Sequence, residues 1–505
     1  MHENMRNIPM ITMNRIKPIA TELKKIDTLR QISSVLSWDQ ETMMPPNGID
    51  ARSNQLETLA GLIHDAWQSD DLTQAMANCI DLYTGAPKDD LDTDEKAFVR
   101  EVYPQWKRNT QLSKSLVQEL SKATSRAQHV WQDARKNNAF NEFSPHLQTL
   151  IDLTLEKINQ LGMTDHPYDT LIDEFEPGMT VKKIDAIFSP LTEKTVDFLN
   201  HHKTLPPNSI PGPFGINEQI LYSKELMEQL GYDRNRGRLD VSTHPFTIDI
   251  HPTDVRITTR ANPDYLFESI SSTIHEVGHG LYEQGLDPQW AGTPYGASRS
   301  MGVHESQSRL WEIFIGQSLA FWEGQLPRIH DLFPSAQSTT AADFYKACHH
   351  IKPHWCRVES DIVTYNLHIV IRYECEKALF SKSLNVNDLP EFWNQKMNEY
   401  LGLDITNDTQ GCLQDVHWSA GLFGYFPSYT LGTLIANQLH QKLHAHFPAL
   451  NDMIRTKTFV PIKEWLNQHI HVHGSKMTTS ELLNSLGIHY APENFIASLS
   501  EQLST

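Results

Sequence analysis

Cysteine is scarce in this chain. Its five cysteines, Cys79, Cys348, Cys356, Cys375 and Cys412, are odd in number and loosely spaced, with no C-x-x-C pair. That pattern excludes a disulfide framework and suits a reducing compartment. Positive charge is also short: 43 Lys and Arg face 62 Asp and Glu, a net charge of -19. No basic surplus is left for nucleic acid or for an anionic membrane surface. No stretch approaches the ~20 apolar residues of a membrane span. The opening MHENMRNIPMITMNRIKPIA has no long apolar core of the signal-peptide kind. A soluble, cytoplasmic protein is the expectation. Gly/Ser linkers, low-complexity tracts and internal repeats are missing as well. Length alone suggests two to four domains. Without a visible boundary, the 505 residues read instead as one large body.

What is present is helical periodicity, almost throughout. Residues 12 to 37 carry it, and WDQETMMPPNG then breaks it. Residues 50 to 83 read as one or two helices, and 92 to 136 and 141 to 161 follow with charged outer faces. These helices hold no chemistry of their own and read as a wall or lid, roughly residues 1 to 200. A Pro-rich loop, TLPPNSIPGPFG, spans residues 204 to 215. The one β signal follows in HPFTIDIHPTDVRITT. Phe246, Ile248 and Ile250 alternate with polar residues. After His251-Pro252, Val255 and Ile257 oppose Asp254, Arg256 and Thr258, which predicts a small hairpin. Its edge can pair with an extended peptide backbone, or the hairpin can simply cap the fold.

The densest chemistry lies in SSTIHEVGHGLYEQG. On a helix, His275 and His279 share one face and can aim at one metal ion. Glu276 between them is placed to act on a water. This is the H-E-x-x-H pattern of zinc peptidases, two ligands plus a general base. Gly278 and Gly280 each cost a helix about 1 kcal/mol relative to Ala, so something passes close to this backbone. A catalytic zinc takes three protein ligands. Glu305, 26 residues after His279 in MGVHESQSRLWEIFIG, is the preferred third, and its neighbour His304 is the rival. Gly and Pro in GLDPQWAGTPYGASRSMG supply the loop between the two helices. Two later stretches are dense in polar groups. In HWCRVESDIVTYNLHIVIRYE, Arg357, Glu359, Asp361 and Arg372 accompany an apolar stripe, as a structural ion-pair network would. In GCLQDVHWSAGLFGYFPSYTLG, Gln414, Asp415, His417, Trp418, Tyr425 and Tyr429 crowd together. His and Tyr there are suitable donors to an oxyanion, or tips of a buried aromatic cluster.

Taken in order, these motifs resemble the carboxypeptidase Taq family of zinc-dependent carboxypeptidases, peptidase family M32. H-P-F is His244-Pro245-Phe246, and D-x-R-x-T is Asp254, Arg256 and Thr258. H-E-x-x-H is His275 to His279, and H-E-S-Q is His304, Glu305, Ser306 and Gln307. G-x-x-Q-D-x-H-W is Gly411, Gln414, Asp415, His417 and Trp418. I-R-x-x-A-D is matched with Cys356 and Ser360 in place of Ile and Ala, the Arg357 and Asp361 charges kept. The resemblance implies a mostly helical, two-lobed fold around a long groove, as in neurolysin and angiotensin-converting enzyme. It implies one catalytic domain over residues 1 to 505, its zinc core roughly 240 to 435. It implies a homodimer, zinc with cobalt as a substitute, and release of C-terminal residues from peptides with broad specificity. His275, His279 and Glu305 would bind metal, and Glu276 would be the catalytic acid/base. His417 or Tyr425 would stabilise the oxyanion. Arg357, or failing it Arg256, would read the substrate's terminal carboxylate, with His244 and Tyr429 as further substrate contacts. An endo- or oligopeptidase on the same site, and an inactive peptide-binding protein, stand as alternatives.

Overall fold

A computed structural model describes residues 14–162, 164–201 and 210–503. Residues 12 and 13 of the first helical stretch and 204 to 209 of the Pro-rich loop lie outside them. Helix α1 (Lys17–Thr42) runs through the expected break, because Trp38 to Thr42 contain no helix breaker and only Pro45 and Pro46 stop it. It is followed by α2 (Ile49–Trp67) and α3 (Asp70–Cys79). Asp92 and Glu95 form a capping box that starts α4 (Thr93–Gln111). The continuous stretch expected over 92 to 136 is two helices. The chain turns at Leu112 and Ser113, and the Ser113 hydroxyl accepts the Leu116 N–H to start α5 (Lys114–Asn137). Then come α6 (Phe140–Leu161), α7 (Pro167–Phe175), α8 (Val181–His201) and α9 (Ile216–Gln229).

Two cores divide this N-terminal half. Ile19, Leu23 and Ile26 of α1 pack with Trp67, Met76, Phe98 and Val102 in a core of their own, which among the described residues takes in Tyr295 and Trp290 from the later chain. Helices α5 to α8 bury Trp131, Phe143, Leu171 and Phe188 in the main core instead.

The β signal is a hairpin, β2 (Thr247–His251) antiparallel to β3 (Asp254–Thr259), with a bulge between Asp249 and His251. A third strand, β1 (Gly237–Val241), adds in parallel to β3, so the order is β1-β3-β2 and β2 is an edge. Sequence reading misses β1 because Leu239 is its only inward apolar side chain between Arg238 and Asp240. Cross-strand pairing puts Thr247 beside Ile257 and Asp249 beside Val255 on one face, and Ile248 beside Arg256 on the other. The first face carries α10 (Leu266–Gly285). The second meets α1, whose Trp38 packs on Phe246 at 5.5 Å and under the Arg256 guanidinium at 5.8 Å.

Helices α11 (Met301–Arg309), α12 (Leu319–Leu332), α13 (Ala341–Cys348), α14 (Tyr365–Phe380), α15 (Leu389–Leu401) and α16 (Pro427–His446) complete the main body, with four further helices ending at Leu503. All five cysteines are free thiols. Among the described residues, no helix is long and apolar enough to cross a membrane.

Candidate metal centre

Three helices hold the centre, and their contact is tight. A side chain at Gly278 of α10 would meet the Ser308 backbone at 2.6 Å, so only glycine lets α11 lie this close. Gly432 of α16 does the same on the other side: a Cβ there would sit 2.7 Å from the Glu305 side chain. Gly280 admits the Tyr232 ring. Glu305 is thus wedged between α10 and α16 with its carboxylate turned to the two histidines.

Nitrogen and oxygen donors of His275, His279 and Glu305 all lie within 4.8 Å of one another. His279 Nε2 is 3.5 Å and His275 Nε2 3.8 Å from Glu305 Oε2. A tetrahedral zinc at its usual ~2.0–2.2 Å needs donors about 3.4 Å apart, so the set fits with little movement. His275 Nδ1 is 2.8 Å from Glu312, which fixes the ring with Nε2 inward. The rival His304 points elsewhere: its Nε2 bonds Glu283 at 2.9 Å, and its ring stacks on His279 with centroids 4.5 Å apart.

Charge decides the protonation pattern. Burial opposes a cation at His275, but Glu305 and Glu312 outweigh it and raise its pKa to about 9. Burial and the neighbouring His304 push His279 down to about 3. Glu305 is held near 2, since His275, His279 and Arg309 overcome the cost of its burial. Glu276 moves the other way: burial lifts its pKa above the usual carboxylate value, with His275 and a 2.6 Å hydrogen bond from the Thr247 hydroxyl restraining the rise. Burial alone therefore makes it a stronger base than a carboxylate in water.

A second charged group lies at the His275 end. Arg309, 3.3 Å from Glu312, stacks over Tyr365 at 4.3 Å. The Tyr365 hydroxyl accepts a 3.0 Å hydrogen bond from Arg357. Arg357 is 7 % exposed and bonds Asp415 at 3.0 and 3.2 Å, with the Tyr429 ring beneath it at 5.1 Å. Arg372, wholly buried, shares the same Asp415 at 2.6 Å. His417 completes the group, with Nε2 3.3 Å from the Tyr429 hydroxyl. Burial first, and the two guanidiniums with it, push the His417 pKa down to about 4 despite Asp415. Tyr425 and Tyr429 stack edge to face at 5.2 Å, and burial raises both phenols. The fields of Glu305 and Arg357 both reach these rings, so the tyrosines bridge the two groups.

The sequence-based set therefore falls in two places. His275, Glu276, His279 and Glu305 come together, and Arg357, His417, Tyr425 and Tyr429 line the adjoining wall. Arg256 sits apart, its guanidinium paired with Asp254 through two 2.8 Å bonds and covered by Trp38. His244 is exposed at the rim of the sheet. Asp361 caps the start of α14, accepting the Val363 and Thr364 N–H groups at 2.9 Å. Thr247, Glu312 and Tyr365 escape sequence reading. Only Glu312 leaves a local trace, seven residues after Glu305 and so on the same helical face.

Comparison with known proteins agrees with this geometry. The family model for carboxypeptidase Taq (M32) metallopeptidases matches residues 18–503. The chain belongs to that family. It is a metallocarboxypeptidase by kinship, a hydrolase of peptide bonds. Carboxypeptidase 1 of Bacillus subtilis is 37% identical over 91% of this chain and 92% of its own length. Thermostable carboxypeptidase 1 of Thermus thermophilus is 38% identical over 89% and 90%. The solved Pyrococcus furiosus carboxypeptidase superposes with a TM-score of 0.91 at 33% identity, covering 97% of this chain and 99% of that one. Family membership implies a divalent metal, and the His275, His279 and Glu305 donors fit one.

Proposed function

We propose that this protein is a zinc carboxypeptidase that releases C-terminal residues from peptides with broad specificity. The observation that carries the reading is the pairing of two opposite sites in one cleft. Three convergent metal donors adjoin a pair of buried arginines that share a single carboxylate. His275, His279 and Glu305 would hold zinc, or cobalt in its place. When bound, such an ion supplies Lewis acidity, lowering the pKa of a coordinated water towards ~7 and polarising a carbonyl.

The protein's own groups do the rest. Glu276 takes the proton of the attacking water and passes it to the leaving amine, helped by the raised basicity that burial gives it. Thr247 keeps its carboxylate oriented. His417 and Tyr425, both uncharged at neutral pH, would donate to the oxyanion. Arg357 reads the terminal carboxylate as a fork, and Tyr429 lies under its plane. Asp415 offsets only one of the two guanidiniums, so one positive charge is left for the substrate.

In this reading the chain is a single catalytic unit, working in the cytoplasm as a homodimer on peptide substrates, with its N-terminal helices walling the groove. The test is incubation of the zinc-loaded protein with a peptide library. Mass spectrometry should show single residues lost from free-acid C-termini, abolished by chelator and restored by zinc or cobalt. Internal fragments would indicate an endopeptidase instead.

A further inference from the structure

The β2 edge beyond the Thr247–Glu276 contact carries charge that the mechanism leaves unused. Thr247 and Asp249 lie on the same face of edge strand β2, one strand repeat (about 7 Å) apart. Opposite them on α10 stand Glu276 and Glu283, two helical turns apart. Thr247 meets Glu276, so Asp249 lies one step further along the same edge, next to Glu283. Direction follows from the helix. Glu312, Arg309 and Tyr365 lead from His275 towards Arg357, whereas Glu283 lies eight residues, about 12 Å, past His275 along α10. Asp249 and Arg357 are therefore on opposite sides of the metal donors.

Asp249 also faces open space. A cavity of about 150 Å³ is lined by Asp249 and Glu283 with Asp27 and Arg30 of α1. It shares Gln105, Pro294, Ala297 and Ser298 with a larger cavity of about 1090 Å³. Among the described residues, no lysine or arginine forms an ion pair with Asp249 or Asp27. Arg30 lies over the Trp67 ring at 5.5 Å, and its field lowers the Asp27 pKa against the larger effect of burial. Asp249 is exposed. Burial by the surrounding protein mass and the nearby Glu283 nonetheless raise its pKa, with His304 opposing the rise.

We propose that Asp249, with Asp27 across the cavity, forms an upstream subsite that selects a cationic nitrogen two or three residues before the bond cut. That nitrogen can be a lysine or arginine side chain, or the terminal ammonium of a short peptide. The inference rests on the carboxypeptidase reading and adds a substrate preference to it.

The experiment compares kcat/KM of the zinc-loaded protein on acetylated peptides that carry lysine or norleucine at the second or third upstream position. The same norleucine peptides with free N-termini separate the two sources of charge. Lysine, or the free N-terminus, should be favoured roughly five- to tenfold. Asp249→Asn should bring that ratio close to one, and Asp27→Asn should lower it partway. The ratio is the readout, so a general loss of rate does not decide the matter. Equal rates for lysine and norleucine, or a ratio that survives Asp249→Asn, overturns the proposal. So does a variant that alters only metal content, which would make Asp249 an electrostatic support for His304. If no peptide loses its C-terminal residue, the carboxypeptidase reading itself fails.

Discussion

The two ends of the catalytic cleft bury charge in opposite ways. Around the metal donors there are three carboxylates, Glu276, Glu305 and Glu312, and one guanidinium, Arg309, which pairs with the latter two. Once His275 gives up the proton that Glu305 and Glu312 hold on it, negative charge is in excess, and a divalent cation would balance it. Around Arg357, two guanidiniums share one Asp415, and an arriving carboxylate would complete the count. A buried charge is expensive unless it is compensated. In the proposed reading, a metal would compensate one end and a substrate C-terminus the other.

The sharpest break in this contrast is at Glu276. Glu276→Gln preserves shape and hydrogen bonding to Thr247 but cannot take a proton. It should retain metal and fold while losing about 10²- to 10⁴-fold in kcat. Activity within a few-fold of the parent would remove Glu276 from the base role. Glu305→Ala should leave two donors and strip the metal from purified protein, read by elemental analysis. Stoichiometric metal in that variant would point to His304.

Asp415→Asn tests the other end through stability. Removing the shared carboxylate leaves Arg372 and Arg357 facing each other in a buried site, which should cost about 3 kcal/mol in denaturant unfolding at pH 7. Burial alone would raise the Asp415 pKa, but Arg372 and Arg357 depress it far below the ordinary value. A depressed carboxylate stabilises the fold above its unfolded pKa of ~3.9 and loses that contribution as pH falls through the folded value. The gap between parent and variant should therefore be full at pH 7 and shrink progressively below about pH 4. A gap that stays constant down to pH 2 would contradict the ion-pair assignment.

A smaller effect is expected at Glu312. Glu312→Gln weakens the grip on His275 Nδ1 and should reduce metal affinity about 10- to 100-fold, measured by chelator competition. An unchanged affinity would reduce Glu312 to a partner of Arg309.

These four residues also show what a sequence gives away. His275 and Glu276 are legible because the metal donors on α10 obey helical spacing, and Glu305 because a Gly- and Pro-rich loop separates two evident helices. The glycines at 278 and 280 signal close packing, which the Ser308 backbone and the Tyr232 ring confirm. Glu312 pairs with a residue 37 positions away and Asp415 with one 58 positions away. No local period encodes such partners. Helices read well where a long amphipathic face exists. Their ends do not, as Trp38 to Thr42 and Leu112 to Ser113 show. Strand β1 is invisible because a five-residue strand with one buried side chain has no pattern to detect.

The central claim is that Arg357 carries the spare positive charge for a substrate carboxylate beside the metal donors. The most direct test is the ratio of kcat/KM for matched free-acid and C-terminally amidated peptides in the parent and in Arg357→Ala. The parent should favour the free acid by about 30-fold or more, the value of a buried charge-assisted contact. The variant should bring the ratio near one with its metal content intact. A ratio that survives the substitution would show that the terminal carboxylate is read elsewhere and that the two ends of the cleft do not work as a pair.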